Sequence, residues 1–366
     1  MDVPFLDLER EWRALEPELT EAFVRFGRAA RYVLGSGVAQ FEEAFAAAHQ
    51  YAYAVGVGSG LSALEIALLA EEVGPGDEVI TVGNSAVATA LAISNIGAHP
   101  VFCDVQTNFL IDVSKIEHLI TPRTKAIVPV HLFGLVCSMQ SISEIAQKHG
   151  VRIIEDACQA HGTDFARFDG VEHTKAFSFY PTKNVGGYGE AGMVLTQRVE
   201  VRDFARQYRD YGQTSRYVHV QKGTNSRIDG LQCELLKVKL ALLPQYTELR
   251  CAIAARYAQG LAGLSYLQVP PFVFGMAPHL YVVRVLGGLR DRLQQYLLHQ
   301  GISTLVHYPT PIHRQPCYIS EYTHTLLPVT EQLQEEILSL PCHPYLTAEE
   351  QQNVIEQVHN FFQETP

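Results

Sequence analysis

The chain has 366 residues, 47% of them hydrophobic, enough to bury a large core and to form about two domains. Its net charge of -11, with acids and bases interspersed, argues against a nucleic-acid surface and names no substrate. Seven cysteines without a C-x-x-C pair predict buried free thiols rather than a disulfide framework or a zinc cluster. The start "MDVPFLDLEREW" is charged where a leader peptide would be apolar. No apolar run nears the roughly 20 residues of a membrane helix, so a cytoplasmic protein with no membrane partner and no metal is expected.

In chain order, an amphipathic N-terminal helix precedes short β-branched runs that alternate with segments of helical period. "YAYAVGV" is followed by "LSALEIALLAEEV", "DEVITV" by "AVATALAISNIG", and then "HPVFCDV". "KAIVPVHLFG" leads into "MQSISEIAQKHG" and "VRIIEDA", after which "KAFSFY" and "AGMVLT" bracket a glycine-rich loop. This alternation predicts a three-layer α/β/α domain with a mostly parallel mixed sheet. It ends near residue 200, and a long helix follows, expected to be broken or kinked at Pro244. "HLYVVRVL" reads as a strand and "TAEEQQNVIEQVHNFFQ" as a closing helix of a smaller α+β unit. The expected division is 1–245 and 246–366.

In an open α/β sheet, ligands gather at the carboxyl ends of the strands, so the loops there carry the functional signal. In "VGVGSGLSALEIALL", Gly56, Gly58 and Gly60 would let backbone approach a ligand, and the N–H groups at the helix start suit a phosphate. A plain strand-to-helix turn is the bland reading. A nicotinamide fingerprint fails because Ala63 stands where G-x-G-x-x-G needs its last glycine.

In "VRIIEDACQAHG", Asp156 ends an apolar strand, where a carboxylate needs a cation or hydrogen-bond donors. A helix cap or a core ion pair would satisfy it, as would a protonated ring nitrogen, with Gln159 and His161 nearby. In "AFSFYPTKNVGGYGE", Lys183 is a lone cation in a restricted loop, where an amine loses proton affinity and becomes a nucleophile and base. Ser178 could offer a hydroxyl to the same ligand. A phosphate cup, a strand-end aspartate and a strand-end lysine in this order match the phosphate, ring nitrogen and aldehyde of pyridoxal 5′-phosphate.

The motifs "GPGDEVITV", "TPRTKAIVPVHLFG", "IIEDACQAHG", "FSFYPTKNVGG", "GTNSRIDGLQCELLKVKL" and "HYPTPIHRQP" resemble those of the DegT/DnrJ/StrS sugar aminotransferases over nearly the whole length. The resemblance implies the fold type I of pyridoxal-phosphate transferases. It also implies amine transfer from an amino acid, L-glutamate by analogy, to a nucleotide-linked keto-sugar, through the pyridoxamine 5′-phosphate form. A free cyclitol ketone as acceptor, or a non-catalytic cofactor-binding regulator, are the alternatives it leaves.

Carried over by position, Lys183 is the lysine that binds the cofactor and Asp156 the partner of its ring nitrogen. Gln159 lies beside the phenolic oxygen, and Ser59, Gly60 and Ser178 contact the phosphate. Asn225 matches an asparagine that reaches the phosphate from the neighbouring subunit, which implies a homodimer with shared active sites. Tyr180, Gly187, Tyr188, His307, Tyr308 and His313 are the expected substrate contacts. Gly186 and Gly187 are expected to leave space for the sugar.

Three departures stand out. Leu61 replaces a threonine, so a hydroxyl is missing unless Ser62 supplies it, and Ala86 replaces a ring-stacking aromatic. The segment "GTDFARFDGVEHTKA" is short and lacks the usual glycines. Lys183 itself argues against the dehydratase branch, in which histidine takes its place.

Overall fold

The computed structural model describes residues 1–168 and 173–364. Residues 169–172 of the shortened segment lie outside the described residues. A seven-stranded sheet is built from β1 (Tyr53–Val57), β2 (Glu78–Val82), β3 (His99–Cys103), β4 (Thr124–Ile127), β5 (Arg152–Asp156), β6 (Thr174–Ser178) and β7 (Gly192–Thr196). Their spatial order is β1-β7-β6-β5-β4-β2-β3. β7 runs antiparallel to both neighbours, and the remaining pairings are parallel.

Both faces of the sheet are covered, so the strands read as near-continuous apolar runs whose successive side chains feed opposite layers. Ala176 of β6 and Val194 of β7 pack beneath one helix layer, formed by α3 (Gly60–Ala70), α4 (Val87–Asn95) and α7 (Val199–Tyr208). Phe177, Met193 and Leu195 face the opposite layer. There α2 (Ser36–Ala48) supplies Phe41 and Phe45, and α8 (Gly230–Gly260) supplies Leu236 and Leu240. The outer strands are covered by α5 (Val113–Leu119) and α6 (Met139–His149) through Ile116 and Ile142. α1 (Leu8–Ala29) lies on α8 through Leu15, Leu19 and Ala22.

α8 continues through Pro244 without a break, contrary to the expected interruption. Leu243 belongs to the core of the large sheet, whereas Ile253, Ala254 and Tyr257 belong to a second core. That core also holds β11 (Tyr281–Val285), β12 (Ile337–Leu340), α9 (Arg290–His299) and α11 (Ala348–Glu364). We propose that the two units meet along this stretch of α8, and packing on both sides offsets the backbone bond that a proline removes. The N-terminus sides with the second unit, because Val3 pairs with Ile302 and donates from its N to the Gly301 carbonyl at 2.9 Å.

All seven cysteines are free, but not all are buried: Cys251 and Cys317 are exposed and Cys158 is intermediate.

Candidate active site

The carboxyl ends of β1, β2, β5 and β6 open onto one cleft of about 810 Å³, whose lining includes Ser59, Gly60, Ala86, Asp156, Gln159, Ser178 and Lys183. The crossover topology brings these together although the sequence spreads them over more than a hundred residues.

At the end of β1, Ser59 caps α3 by accepting from the Ser62 N at 3.1 Å. The N–H groups of Gly60 and Leu61 at the first turn have no intrahelical acceptor, and both residues line the cleft. Gly60 is fixed by close approach: a Cβ there would lie 2.5 Å from the Ser178 Cβ and 3.2 Å from the Cys158 Sγ. The other two glycines of the run press on protein instead of a ligand. A Cβ at Gly56 would meet Ile228 at 2.5 Å and one at Gly58 the Ser226 Oγ at 3.1 Å. The Ser59 hydroxyl donates to the Ser62 Oγ at 3.2 Å, and Ser62 does not line the cleft, so the missing threonine contact is not replaced in this arrangement.

Asp156 is 5% exposed and carries no ion pair among the described residues. Its Oδ2 accepts from the Thr89 Oγ1 at 2.7 Å and its Oδ1 from the Cys158 N at 3.1 Å. Thr89 is itself within 3.0 Å of the Ser85 hydroxyl. These contacts fix a buried carboxylate that makes no ion pair among the described residues and caps no helix.

Its sequence neighbour Glu155 faces the other side of the sheet. There it bonds the His131 Nε2 at 2.8 Å, the His173 Nδ1 at 2.9 Å and the buried Lys175. Burial would raise the Glu155 carboxyl, yet Lys175, His131 and His173 hold it below the ordinary range. His131 is therefore a buried structural group under the sheet.

Lys183 follows β6 on a loop folded against itself. A Cβ at Gly186 would lie 2.2 Å from the Pro181 carbonyl oxygen, and one at Gly187 2.8 Å from the Gln232 Oε1. These glycines therefore close the loop and seat it on α8. They do not clear space for a substrate, and Gly187 does not line the cleft. Burial lowers the Lys183 amine from its ordinary value, against the opposing pull of Cys158 and Asp156. Behind the loop, the Asn184 Oδ1 and the His279 Nδ1 are 3.2 Å apart, and the Asn184 Nδ2 donates to the His161 carbonyl at 3.3 Å. His161 lies among Phe45, Phe177 and Phe179 with no hydrogen bond to either ring nitrogen, away from the cleft lining.

The second unit supplies the facing wall. The Gln159 Oε1 accepts from the Phe133 N at 2.8 Å and its Nε2 donates to the Tyr308 Oη at 3.2 Å. Burial pushes the Tyr308 hydroxyl up to about 12 although the Gln159 bond opposes this. His307 lies within 2.8 Å of the Ser339 Oγ through Nδ1 and stacks on Phe5 at 5.7 Å. It is pushed down to about 4 by burial and by Lys183, so it is neutral near pH 7. Tyr180 stands at the cleft, 46% exposed, as does Glu190.

Other expected contacts lie elsewhere in this single chain. His313 is fully buried, 3.0 Å from Glu331, and packs on Phe102 behind the end of β2. Tyr188 sits edge-on to Trp12 and under the Lys239 ammonium at 4.6 Å. Asn225 is exposed outside the cleft, on a segment whose Ser226 and Arg227 run along β1.

Thr89, Cys158, Phe5 and Arg250 also line the cleft, and none was singled out from the sequence. Thr89 was findable in principle, as a hydroxyl one helical turn into the segment after β2. Phe5 and Arg250 reach the site only through tertiary packing.

The signature of the DegT/DnrJ/EryC1/StrS aminotransferase family matches residues 14–359. The dTDP-3-amino-3,4,6-trideoxy-α-D-glucose transaminase of Streptomyces venezuelae is 40% identical over 98% of this chain and 96% of its own. The pleiotropic regulatory protein of Geobacillus stearothermophilus is 40% identical over 99% of each. Among solved structures, NtdA of Bacillus subtilis with bound cofactor PMP superposes with a TM-score of 0.95. It is 32% identical, over 99% of this chain and 86% of that one.

Proposed function

The chain belongs to the DegT/DnrJ/EryC1/StrS aminotransferase family, and from that membership we propose that it moves an amino group from L-glutamate to a nucleotide-linked keto-sugar, giving an amino sugar. The family's cofactor is pyridoxal phosphate, and the residues present fit it. The observation that carries the reading is the buried Asp156 carboxylate, held by Thr89 and the Cys158 N–H without a cation, in the same cleft as Lys183 and the open α3 N-terminus. Asp156 would face the protonated ring nitrogen. The Gly60 and Leu61 N–H groups, with Ser59 and Ser178, would hold the phosphate. Lys183 would be the covalent anchor.

When bound, the cofactor supplies an electron-accepting ring that stabilises negative charge at the reacting carbon. The chain's own task is to hold and move protons. Asp156 keeps the ring nitrogen charged at neutral pH. The Lys183 Nζ, whose proton affinity desolvation lowers, would take the proton from the donor α-carbon and return it during the step on the acceptor. The same site serves both half-reactions, so ping-pong kinetics follow. The cleft volume lies at the upper end of single-ligand pockets, leaving room for a sugar beside the cofactor. Phe5, Tyr180, His307 and Tyr308 are the surfaces that sugar would meet, and the names of relatives acting on dTDP- and UDP-linked sugars support this acceptor class.

We place this enzyme in a cytoplasmic homodimer. Exposed Asn225, the hairpin of β8 (Gln213–Ser215) and β9 (Val218–His219) with Tyr217 78% exposed, and Phe23 of α1 at 58% are surfaces that a second copy would cover. Asn225 would then reach the partner's phosphate site. The relative with a regulatory name does not displace the enzymatic reading, because both Lys183 and Asp156 are present and share the cleft. The test is to load the purified protein with pyridoxal phosphate, add L-glutamate, and follow conversion to the pyridoxamine form. A panel of nucleotide keto-sugars is then added to recover the first form. Conversion by glutamate without reversal by any keto-sugar would reject the acceptor class.

A further inference from the structure

Lys183 and Arg250 are the lysine and arginine that line the cleft among the described residues. Arg250 projects from α8 and is 3% exposed. Its Nη1 donates to the Cys342 carbonyl at 2.6 Å and to the His279 carbonyl at 3.1 Å, while its Nε is buried without a partner. No carboxylate lies within ion-pair distance of it among the described residues. Glu11, the carboxylate whose charge acts on it, already accepts from Lys239 at 2.6 Å. A buried guanidinium with donors to spare and no anion is costly to maintain, and a ligand anion would complete it.

Arg250 also borders, with Lys183, the narrow recess that continues below the cleft toward His343. An amino-acid donor carries its α-carboxylate on the same carbon as its amine. Once the amine is delivered to the position governed by Lys183, that carboxylate must land on the neighbouring wall.

We propose that Arg250 receives the α-carboxylate of the amino-acid donor. This rests on the aminotransferase reading and adds to it the residue that selects α-amino acids over simple amines. The acceptor sugar has no such carboxylate, so the two half-reactions depend on Arg250 unequally.

The holoenzyme tests this by rapid-mixing measurement of each half-reaction. For the wild type, L-isoglutamine, whose α-carboxylate is replaced by a carboxamide, is expected to react at least about 100-fold less efficiently than L-glutamate. Arg250→Met is expected to cut the L-glutamate half-reaction by a similar factor and to erase the distinction between the two donors, with Arg250→Lys partly restoring it. The same variants loaded with pyridoxamine phosphate are expected to react with a nucleotide keto-sugar nearly as the wild type does. Equal use of L-isoglutamine and L-glutamate by the wild type overturns the proposal, and needs no variant to fold. So does a loss in Arg250→Met shared by both half-reactions, which would mark Arg250 as a brace between α8 and the Cys342 loop. A wild type that exchanges with no α-amino acid instead rejects the aminotransferase reading itself, and the proposal with it.

Discussion

The floor of the cleft and its rim are built on different terms. The floor, made by Gly60, Thr89, Asp156, Ser178 and Lys183, is locked by backbone contacts and buried hydrogen bonds within one chain. The rim at Tyr180, and the surface outside the cleft that runs past Tyr188 to the β8–β9 hairpin and Asn225, is exposed. A fixed floor suits a cofactor that is the same in every turnover. An exposed outer surface, which the proposed second copy would cover, can be varied for different sugars without disturbing the chemistry.

The most severe way to break this contrast is at the floor. Lys183→Ala is expected to lower steady-state amine transfer by at least about 10²- to 10⁴-fold, the range of a lost general acid-base group, and to abolish covalent retention of the cofactor. Asp156→Asn leaves Thr89 and the Cys158 N–H in place but removes the counter-charge. A loss of about 3 to 5 kcal/mol, read as cofactor affinity and rate together, is expected. Gly60→Ala drives a methyl into Ser178, so a cost of about 1 to 3 kcal/mol is expected in the denaturation midpoint, with weakened cofactor binding.

At the rim, Asn225→Ala is expected to leave the chain's own fold intact. If the proposed homodimer forms, it should weaken cofactor retention by about 1 to 2 kcal/mol, measured by cofactor titration of the purified protein. An effect as large as that of Asp156→Asn would erase the contrast.

The smallest effect sharpens it through pH. Burial holds the folded pKa of Lys183 below its ordinary 10.5, so between those values the unfolded chain binds more protons and stability rises with pH. Lys183→Met should therefore stabilise the cofactor-free protein most at neutral pH. The gain should fade as pH passes the ordinary lysine value in parallel urea titrations.

The same contrast explains what could be read from the chain. The strands, and the polar strand-end residues that the cleft brings together, are legible because local patterns encode them: apolar runs buried on both faces, and polar residues at strand ends where burial demands a purpose. The functions of the glycines were misread, since a sequence does not say that Gly56 abuts Ile228 or that Gly186 abuts the Pro181 carbonyl. His313 looked like a substrate contact because a motif shows its residue type but not its burial against Glu331 and Phe102. Phe5 and Arg250 were invisible because they reach the cleft through the pairing of Val3 with Ile302 and through the unbroken α8. Ala86 lines the cleft and α4 contains no aromatic residue; Tyr308, bonded to Gln159, is one of the rings in the cleft lining.

The central claim is that Lys183 is the covalent anchor on a floor completed by Asp156. Borohydride reduction of the protein with pyridoxal phosphate, followed by peptide mapping, tests it most directly. A phosphopyridoxyl group on Lys183 is the predicted result, absent when Lys183 is replaced. A protein that takes no label, or takes it elsewhere with Lys183 unmodified, would contradict the account.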